Sequence, residues 1–272
     1  MIINNCRLEE PKALRTLDIS ILGAHNCEIK GKKCSSFLIN NKLAIDAGSL
    51  TSSLSIENQL QIKGVLLTHS HFDHIKDIPL LALNLIRLGS SIDIYCSTAV
   101  RDAITTHLLN GYLYPCFQNI PVEKPTIKFN IIEPDKSYRI EGLEIVALPV
   151  NHPGNALGYF VKNAEGKSFF YTGDTTSGLN FCWERISPDL ILAEMTFPNS
   201  RQELASRTRH LTPLLLEQEL TRFKEIKGYW PGVVAVHLDP LTENKIREEL
   251  SELARLINIQ IDVAYEGMKI TV

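Results

Sequence analysis

Four side chains that can bind a metal ion fall within six residues of one segment, Thr68-His69-Ser70-His71-Phe72-Asp73-His74. The segment follows the predicted strand GVLLT and precedes an amphipathic stretch with helical spacing, so it is expected to form a strand-to-helix turn. In such a turn His69 and His71 converge on one side, while Asp73 and His74 begin the helix and face a second point nearby. Imidazole nitrogens with carboxylates and no thiolate favour zinc, manganese or iron over calcium. The segment therefore predicts ligands for two metal ions.

Later strands supply the further ligands that two coordination spheres need. His152 follows LEIVALPVN, Asp174 follows SFFYTG, and His237 follows GVVAV, each at the carboxyl end of a predicted strand. A lone histidine after a strand is usually only a hydrogen-bonded polar residue, but three such residues beside an HxHxDH loop favour a metal centre. Asp46 in AIDAG has a similar position, and Gly48 beside it favours a structural or supporting carboxylate over a ligand.

The bulk composition argues against two other classes of protein. The net charge of −3 and the pI near 6.3 lack the basic excess of a protein that grips many phosphates by charge alone, so long nucleic acid is not the expected partner. The first residues carry no signal-peptide pattern, and no stretch reaches the roughly 18 apolar residues of a membrane span. We therefore expect a cytoplasmic protein without a membrane partner.

The cysteines and two remaining histidines are expected to be structural. Six cysteines, at positions 6, 27, 34, 96, 116 and 182, include no CxxC pair and no dense framework. We expect reduced, mostly buried thiols, with Cys27 and Cys34 as packing residues rather than a metal knuckle or a disulfide. His25 and His107 lie outside the predicted metal site, and we expect both at the surface or in loops.

The elements that must position these residues are short apolar strands and amphipathic helices, without repeats or linkers. Hairpin turns join strands in the first third, a second block of strands runs from TIKFNII to SFFYTGD, and the last third alternates helix and strand. Two blocks of strands imply two sheets with helices outside. The predicted fold is an α/β, four-layer αββα sandwich, formed by a single domain over residues 1–272.

The HSHFDH loop, the preceding IDAG, the TGDT around Asp174, and the later His152 and His237 resemble the five motifs of the metallo-β-lactamase superfamily. The resemblance spans almost the whole chain and implies two divalent metal ions as cofactors, zinc first, with Mn²⁺ or Fe²⁺ as alternatives. It places Asp174 between the two ions. The implied ligands are His69, His71 and His152 for one ion, and Asp73, His74 and His237 for the other.

Residues beyond this ligand set resemble the phosphodiesterase branch of the superfamily. Position 71 is a histidine where the flavodiiron type has a carboxylate, which argues against redox chemistry. Glu194 in DLILAE and His210 in RHLTP resemble a pair in which a glutamate orients a histidine that touches the scissile phosphate. Three stretches resemble class II cyclic-nucleotide phosphodiesterases: GDTTSGLNFCWERI, AEMTFPNSRQELASRTRHLTP and HLLNGYLYPCF. The chain departs from that family at GAHNCEIKGKKCSS, where a glycine-rich turn is common, and PGNALGYF after His152 resembles the tRNA 3′-processing (RNase Z) branch.

The resemblance implies hydrolysis of a 3′,5′-cyclic nucleotide such as cyclic AMP by a bridging hydroxide. The candidate catalytic residues are Asp73, Glu194 and His210, with His210 protonating the departing 3′ oxygen and Glu194 holding its tautomer. Only 22 positions separate His152 from Asp174, which leaves no room for a long arm that grips tRNA. A small nucleotide is therefore the expected substrate. The alternatives are a tRNA 3′ endonuclease, a lactone or thioester hydrolase, and a metal-stabilised scaffold without turnover.

The sequence does not decide the roles of several further residues. It also leaves open whether the chain forms a homodimer. The aromatic residues of YLYPCF either stack a base over the metal site or pack in the core, and an arginine cluster before His210 either holds an anionic substrate or is solvated. Asn155 is a further candidate for a ribose or phosphate contact. The aromatic residues are Tyr112, Tyr114 and Phe117, and the arginines are Arg201, Arg207 and Arg209.

Overall fold

Two β-sheets organise residues 16–272, the part of the chain that this computed structural model describes, and Cys6 lies outside it. The first sheet consists of β1 (Asp18–Gly23), β2 (Ser36–Ile39), β3 (Leu43–Ile45), β4 (Gly64–Leu66), β5 (Ile92–Cys96), β6 (Ile127–Ile131) and β14 (Lys269–Thr271), in the order β14-β1-β2-β3-β4-β5-β6. The second consists of β7 (Ser137–Ile140), β8 (Leu143–Pro149), β9 (Leu157–Lys162), β10 (Ser168–Tyr171), β11 (Leu190–Glu194), β12 (Gly232–Val236) and β13 (Ile261–Val263), in the order β13-β12-β11-β10-β9-β8-β7.

In both sheets an antiparallel meander leads into parallel strands. β1 to β3 and β7 to β10 pair antiparallel with their neighbours in sequence. β3 to β6 and β10 to β13 pair parallel. Parallel strands end at a common edge, and loops at that edge are where open α/β sheets place their ligands.

Helices cover the outer face of each sheet. They are α1 (Leu50–Ser53), α2 (Ile56–Gln61), α3 (Phe72–Ile75), α4 (Ile78–Arg87), α5 (Thr98–His107), α6 (Asn180–Arg185), α7 (Gln202–Thr208), α8 (Pro213–Lys227) and α9 (Glu243–Ile257), with a 3₁₀ turn at Asn199–Arg201. Helices α4 and α5 pack on the first sheet, and α6, α8 and α9 pack on the second. Among the helices of residues 16–272, none is long and apolar enough to cross a bilayer.

The inner faces of the two sheets pack directly on one another. Phe37 of β2 meets Tyr171 of β10 edge to face, with ring centroids 4.8 Å apart, inside a core that draws on both sheets. The two outer cores lie between a sheet and its helices. The predicted four-layer αββα sandwich is therefore confirmed.

Local sequence explains where the longer helices begin and end. The helical spacing after His74 predicts one helix, but Ile75 ends α3 and a new helix begins at Ile78, with Pro79 in its first turn. In α8, the Thr212 side chain accepts a hydrogen bond from the Leu215 amide, and Gly228 ends the helix in the left-handed conformation. The short helices α1, α2, α6 and α7 are too brief to show a periodic pattern, and the sequence does not predict them.

Two of the three aromatic residues of the YLYPCF segment contribute to packing. Phe117 is buried in the core between the first sheet and its helices, and Tyr114 packs against the same core. Tyr112 is 92% exposed. Base stacking by Phe117 is therefore wrong, because its ring is enclosed by apolar side chains.

Candidate metal centre

The predicted site residues meet at one edge of the sandwich. The loop of His69 and His71 follows β4, and α3 carries Asp73 and His74. Each of the remaining predicted ligands follows a strand of the second sheet, and His210 follows α7. Ligand atoms lie within 4.8 Å of one another in three overlapping groups: His69, His71, His152 and Asp174; Asp73, His74 and His237; and Asp174, His210 and His237.

One candidate metal site is outlined by Asp73, His74 and His237, with Asp174 on its other side. Asp73 Oδ2 lies 3.3 Å from His74 Nε2 and 3.2 Å from His237 Nε2, and those two nitrogens are 3.3 Å apart. Asp174 Oδ1 lies 3.4 Å from His74 Nε2 and 3.3 Å from His237 Nε2. A tetrahedral zinc ion with bonds of about 2.0–2.1 Å has ligand atoms about 3.3–3.4 Å apart. The atoms of Asp73, His74 and His237 are therefore spaced like three ligands of one tetrahedral divalent cation.

Three histidines outline a second, wider site. His152 Nε2 lies 3.3 Å from His71 Nδ1. Asp174 Oδ2 lies 3.5 Å from His69 Nε2 and 3.9 Å from His152 Nε2. Because Asp174 turns Oδ1 to one group and Oδ2 to the other, its carboxylate stands between two candidate cation sites.

Two buried atoms without hydrogen-bond partners bear on whether cations fit the two outlined sites. Within residues 16–272, His69 Nε2 and Asp174 Oδ1 are buried and have no hydrogen-bond partner. Leaving such an atom unsatisfied costs about 1–3 kcal/mol. Each belongs to one of the outlined sites, where a cation would bind its lone pair. The residues therefore fit a pair of divalent cations, and the imidazole and carboxylate donors suit zinc, manganese or iron.

Asp46 and Thr68 orient two of the predicted ligands without joining them. Asp46 Oδ2 accepts a hydrogen bond from His74 Nδ1 at 2.7 Å, and its Oδ1 accepts from the Thr68 amide at 2.9 Å. The Thr68 hydroxyl donates to Asp46 at 3.0 Å and accepts from His69 Nδ1 at 3.0 Å. Both imidazoles thus carry a proton on Nδ1, and Nε2 faces the site as the atom that would bind a cation. Asp46 lies where a supporting carboxylate is expected.

Burial keeps three of the histidines neutral. It lowers the pKa of His69, His71 and His152, because desolvation disfavours a charged imidazolium. A neutral imidazole is the form that binds a metal ion. These side chains are therefore ready to bind a cation at neutral pH.

The carboxylates of the site create a negative electrostatic potential at His74. Burial disfavours a charge on its ring, yet the carboxylates of Asp174, Asp46 and Asp73 raise its pKa well above the usual value. A divalent cation would be attracted by the same carboxylates, and it must displace the proton that His74 attracts. Metal affinity is therefore expected to fall as the pH falls.

Glu194 holds His210 beside the predicted ligands. His210 Nδ1 lies 2.8 Å from Glu194 Oε1, which also accepts from the Leu211 amide at 3.1 Å. The His210 ring lies 5.0 Å from that of His152 and 5.6 Å from that of His237, centroid to centroid. Burial lowers the pKa of His210, but the buried Glu194 carboxylate outweighs it and raises the pKa to about 9.

The backbone is strained at two of these positions. Asp46 and His237 adopt φ values of 57° and 59°, a region that costs a non-glycine residue about 1–3 kcal/mol. Gly173, directly before Asp174, has φ 59°, and a Cβ there would lie 2.7 Å from the Leu157 carbonyl oxygen. The strand-to-loop corners that carry Asp174 and His237 are thus set by tertiary packing.

Sequence reasoning missed the polar groups that orient the ligands. The Arg209 carbonyl accepts from His152 Nδ1 at 3.0 Å, and the Thr196 hydroxyl lies 2.8 Å from His237 Nδ1. Thr196 lies two residues after Glu194, and this closeness in sequence is the one signal that could have drawn attention to it. Of the arginine cluster, Arg201 is paired with Asp239 at 3.4 Å and the Arg207 side chain is exposed.

The expectation for Cys27 is wrong, and His25 lies in a loop, as expected, but not at the surface. His25 is fully buried, with Nδ1 2.6 Å from Glu266 and Nε2 3.2 Å from Glu243, because both ring nitrogens find carboxylates from distant parts of the chain. Cys27 is exposed rather than packed. Of the other described cysteines, Cys34, Cys96 and Cys182 are buried and Cys116 is half-buried.

A family model described as a β-lactamase superfamily domain matches residues 46–237, the span from Asp46 to His237. The chain belongs to the metallo-β-lactamase superfamily. No curated protein sequence matches this superfamily member.

Solved structures share the fold of this metallo-β-lactamase chain at low sequence identity. Unliganded yeast PDE1 is 17% identical, with a TM-score of 0.82 over 94% of this chain and 99% of that one. The metallo-β-lactamase fold protein YhfI from Bacillus subtilis is 19% identical, with a TM-score of 0.73 over 94% and 100%. The short form of human tRNase Z (ELAC1) is 17% identical, with a TM-score of 0.65 over 93% and 98%. This likeness establishes the fold, and the site must decide the substrate.

Proposed function

We propose that this chain is a binuclear metal-dependent phosphodiesterase that hydrolyses 3′,5′-cyclic nucleotides such as cyclic AMP. The observation that carries the proposal is His210, which Glu194 holds at 2.8 Å beside both groups of predicted ligands. A ribose 3′ alkoxide is a poor leaving group, so its departure benefits from a positioned proton donor. The site combines such a donor with two candidate cation sites.

The chain itself supplies the acid. With a pKa of about 9, His210 is protonated at neutral pH. Its Nδ1–H is donated to Glu194, which leaves the Nε2–H free for the departing 3′ oxygen. The His210 side chain is 13% exposed, so a substrate can reach it while most of the ring is shielded from water.

When bound, two divalent cations would supply a nucleophile derived from water and offset the charge that develops on the phosphate. Asp174 would hold both cations. Asp46 and Thr68 fix the tautomers of two ligands before any cation arrives, so little reorganisation is needed on binding. Asp73, His74 and His237 would hold one cation. His69, His71 and His152 would hold the other.

The shape of the chain near the site favours a small substrate over tRNA. The interval from His152 to Asp174 is occupied by the antiparallel strands β9 and β10, with Lys162 paired to Ser168 at their turn. It holds no arm that reaches away from the body of the fold. The net charge of −3 adds no general attraction for a polynucleotide.

A substrate panel tests this proposal. Zinc-loaded protein is incubated with cyclic AMP, cyclic GMP, a pre-tRNA, a lactone and a thioester, and products are separated by chromatography. We expect cyclic nucleotides to give 5′-monophosphates, with loss of this activity in Asp174→Asn and unchanged activity in His107→Ala, which alters an exposed histidine outside the site. Trimming of pre-tRNA without cyclic-nucleotide turnover would instead establish an endonuclease.

A further inference from the structure

We propose that Thr196 is a positioning residue that fixes the tautomer of His237 and thereby sets the affinity of the metal site formed with Asp73 and His74. The inference deepens the proposed function and rests on the same metal centre. It does not depend on which substrate the centre cleaves.

The Thr196 hydroxyl is buried among acceptors and ring nitrogens. Its Oγ1 lies 3.0 Å from Glu194 Oε2 and 2.8 Å from His237 Nδ1. It also lies 3.2 Å from His210 Nδ1 and 3.3 Å from the His237 carbonyl oxygen. The Thr196 backbone amide donates to the same Glu194 oxygen at 3.0 Å. One hydroxyl therefore joins the carboxylate that holds His210 to a predicted metal ligand.

The direction of these hydrogen bonds follows from the chemistry of the groups. An ionised carboxylate only accepts, so Thr196 donates its single proton to Glu194. The Thr196 oxygen is then an acceptor, and the short contact requires His237 to carry its proton on Nδ1. Nε2 of His237 is left unprotonated, 3.2 Å from Asp73 Oδ2 and 3.3 Å from Asp174 Oδ1, where a cation would bind it.

Removing the Thr196 hydroxyl would reverse the preference of His237 for the tautomer with its proton on Nδ1. Without Thr196 Oγ1, a proton on Nδ1 of His237 would lose its side-chain acceptor in a buried place. A proton on Nε2 would instead find two carboxylate oxygens, those of Asp73 and Asp174. That tautomer occupies the lone pair that a metal ion needs, so metal binding must displace the proton.

The first half of the chain uses a similar arrangement, which supports the assignment. There Asp46 accepts from the Thr68 hydroxyl, and Thr68 accepts from His69 Nδ1 at 3.0 Å. In both halves a buried carboxylate sets the direction of a threonine hydroxyl, and the hydroxyl sets the tautomer of a predicted ligand. Loss of such a supporting partner typically lowers metal affinity about 10–100-fold.

The test compares metal uptake by three variants with that of the wild-type chain. Thr196→Val removes the hydroxyl with little change of shape, and Thr196→Ser keeps a hydroxyl. Thr126→Val is the matched control, because Thr126 is equally buried and its hydroxyl donates to the Ile120 carbonyl rather than to a site residue. Each purified chain is dialysed against buffers of defined free Zn²⁺, and bound zinc is counted by elemental analysis.

We expect Thr196→Val to need about 10–100-fold more free Zn²⁺ to bind one of its zinc equivalents, while Thr196→Ser and Thr126→Val load like the wild-type chain. Uptake by Thr196→Val at wild-type concentrations would overturn the inference, and so would an equal loss in Thr196→Ser. If Thr196→Val does not fold, Thr196→Ser and Thr196→Ala still separate the hydroxyl from the side-chain volume. A chain that loads zinc as expected but cleaves no cyclic nucleotide would contradict only the proposed function.

Discussion

The pH dependence of catalysis gives a direct test of the Glu194–His210 pair. A general acid works in its protonated form, so activity is lost as pH rises through its pKa. Glu194 raises the pKa of His210 to about 9, whereas an isolated histidine titrates near 6.5. Glu194→Gln removes the negative charge and keeps a side chain of similar size. The high-pH limb of kcat should therefore move to lower pH, by up to about 2.5 units.

The size of the loss then depends on pH in a calculable way. At pH 7 a group with a pKa of about 9 is about 99% protonated, and one with a pKa of 6.5 is about 24% protonated. The expected loss in Glu194→Gln is about fourfold at pH 7 and about 30-fold at pH 8. These losses correspond to a full return of the pKa of His210 to 6.5; in Glu194→Gln burial still acts to lower that pKa, and Asp174 and Asp73 still act to raise it.

The assay follows cyclic AMP hydrolysis from pH 6 to pH 10 at saturating zinc, with bis(p-nitrophenyl) phosphate as a second substrate. Nitrophenolate departs without protonation. Its release should therefore show neither the loss of kcat at high pH nor the displacement of that loss in Glu194→Gln. His210→Ala should slow cyclic AMP hydrolysis by about 10²–10⁴-fold and barely affect the nitrophenyl ester. If wild type and Glu194→Gln lose activity at the same pH, His210 is not the acid that this limb reports.

Three further variants test the site and the core. Asp73→Ala should bind one zinc ion instead of two under metal excess, measured by elemental analysis, because it removes a corner of the tetrahedral group. Glu219→Ala should lower the free energy of unfolding by about 1–3 kcal/mol in urea titrations, because it leaves the Trp183 indole and the Gly178 amide without their acceptor. Phe117→Ala should cost about 3–5 kcal/mol in the same assay and leave the KM for cyclic AMP unchanged, since its ring is 1% exposed in the core.

The sequence indicates which residues the fold brings together at the candidate site, because much of its signal is local. The HxHxDH spacing puts four side chains on one turn, and the other predicted ligands follow strands whose apolar runs are easy to recognise. The αββα layering follows from the same runs, since two blocks of strands need two sheets. Short helices such as α6 and α7 carry too few residues for a periodic signal, and only tertiary packing defines them.

The remaining parts of the site depend on contacts between distant residues. His25 is bound by Glu243 and Glu266, which lie 218 and 241 positions further along the chain. Neither pairing leaves a trace in spacing or composition. The orienting role of Thr196 is equally hidden, because it depends on β12 bringing His237 beside β11.

A comparison of Asp46 with Glu194 separates metal binding from proton donation. Each carboxylate accepts a hydrogen bond from Nδ1 of a histidine, Asp46 from His74 and Glu194 from His210, so each leaves Nε2 facing the site. His74 Nε2 belongs to a group, with Asp73 and His237, whose ligand atoms are spaced like three ligands of a zinc ion. His210 lies close to Asp174 and His237 as well, but its Nδ1 is held by Glu194, and we expect it to act as the proton donor rather than as a ligand. We therefore expect the same carboxylate–histidine arrangement to orient a ligand in one half of the chain and a proton donor in the other. His210→Ala should then retain both zinc ions while losing the hydrolysis of substrates with poor leaving groups.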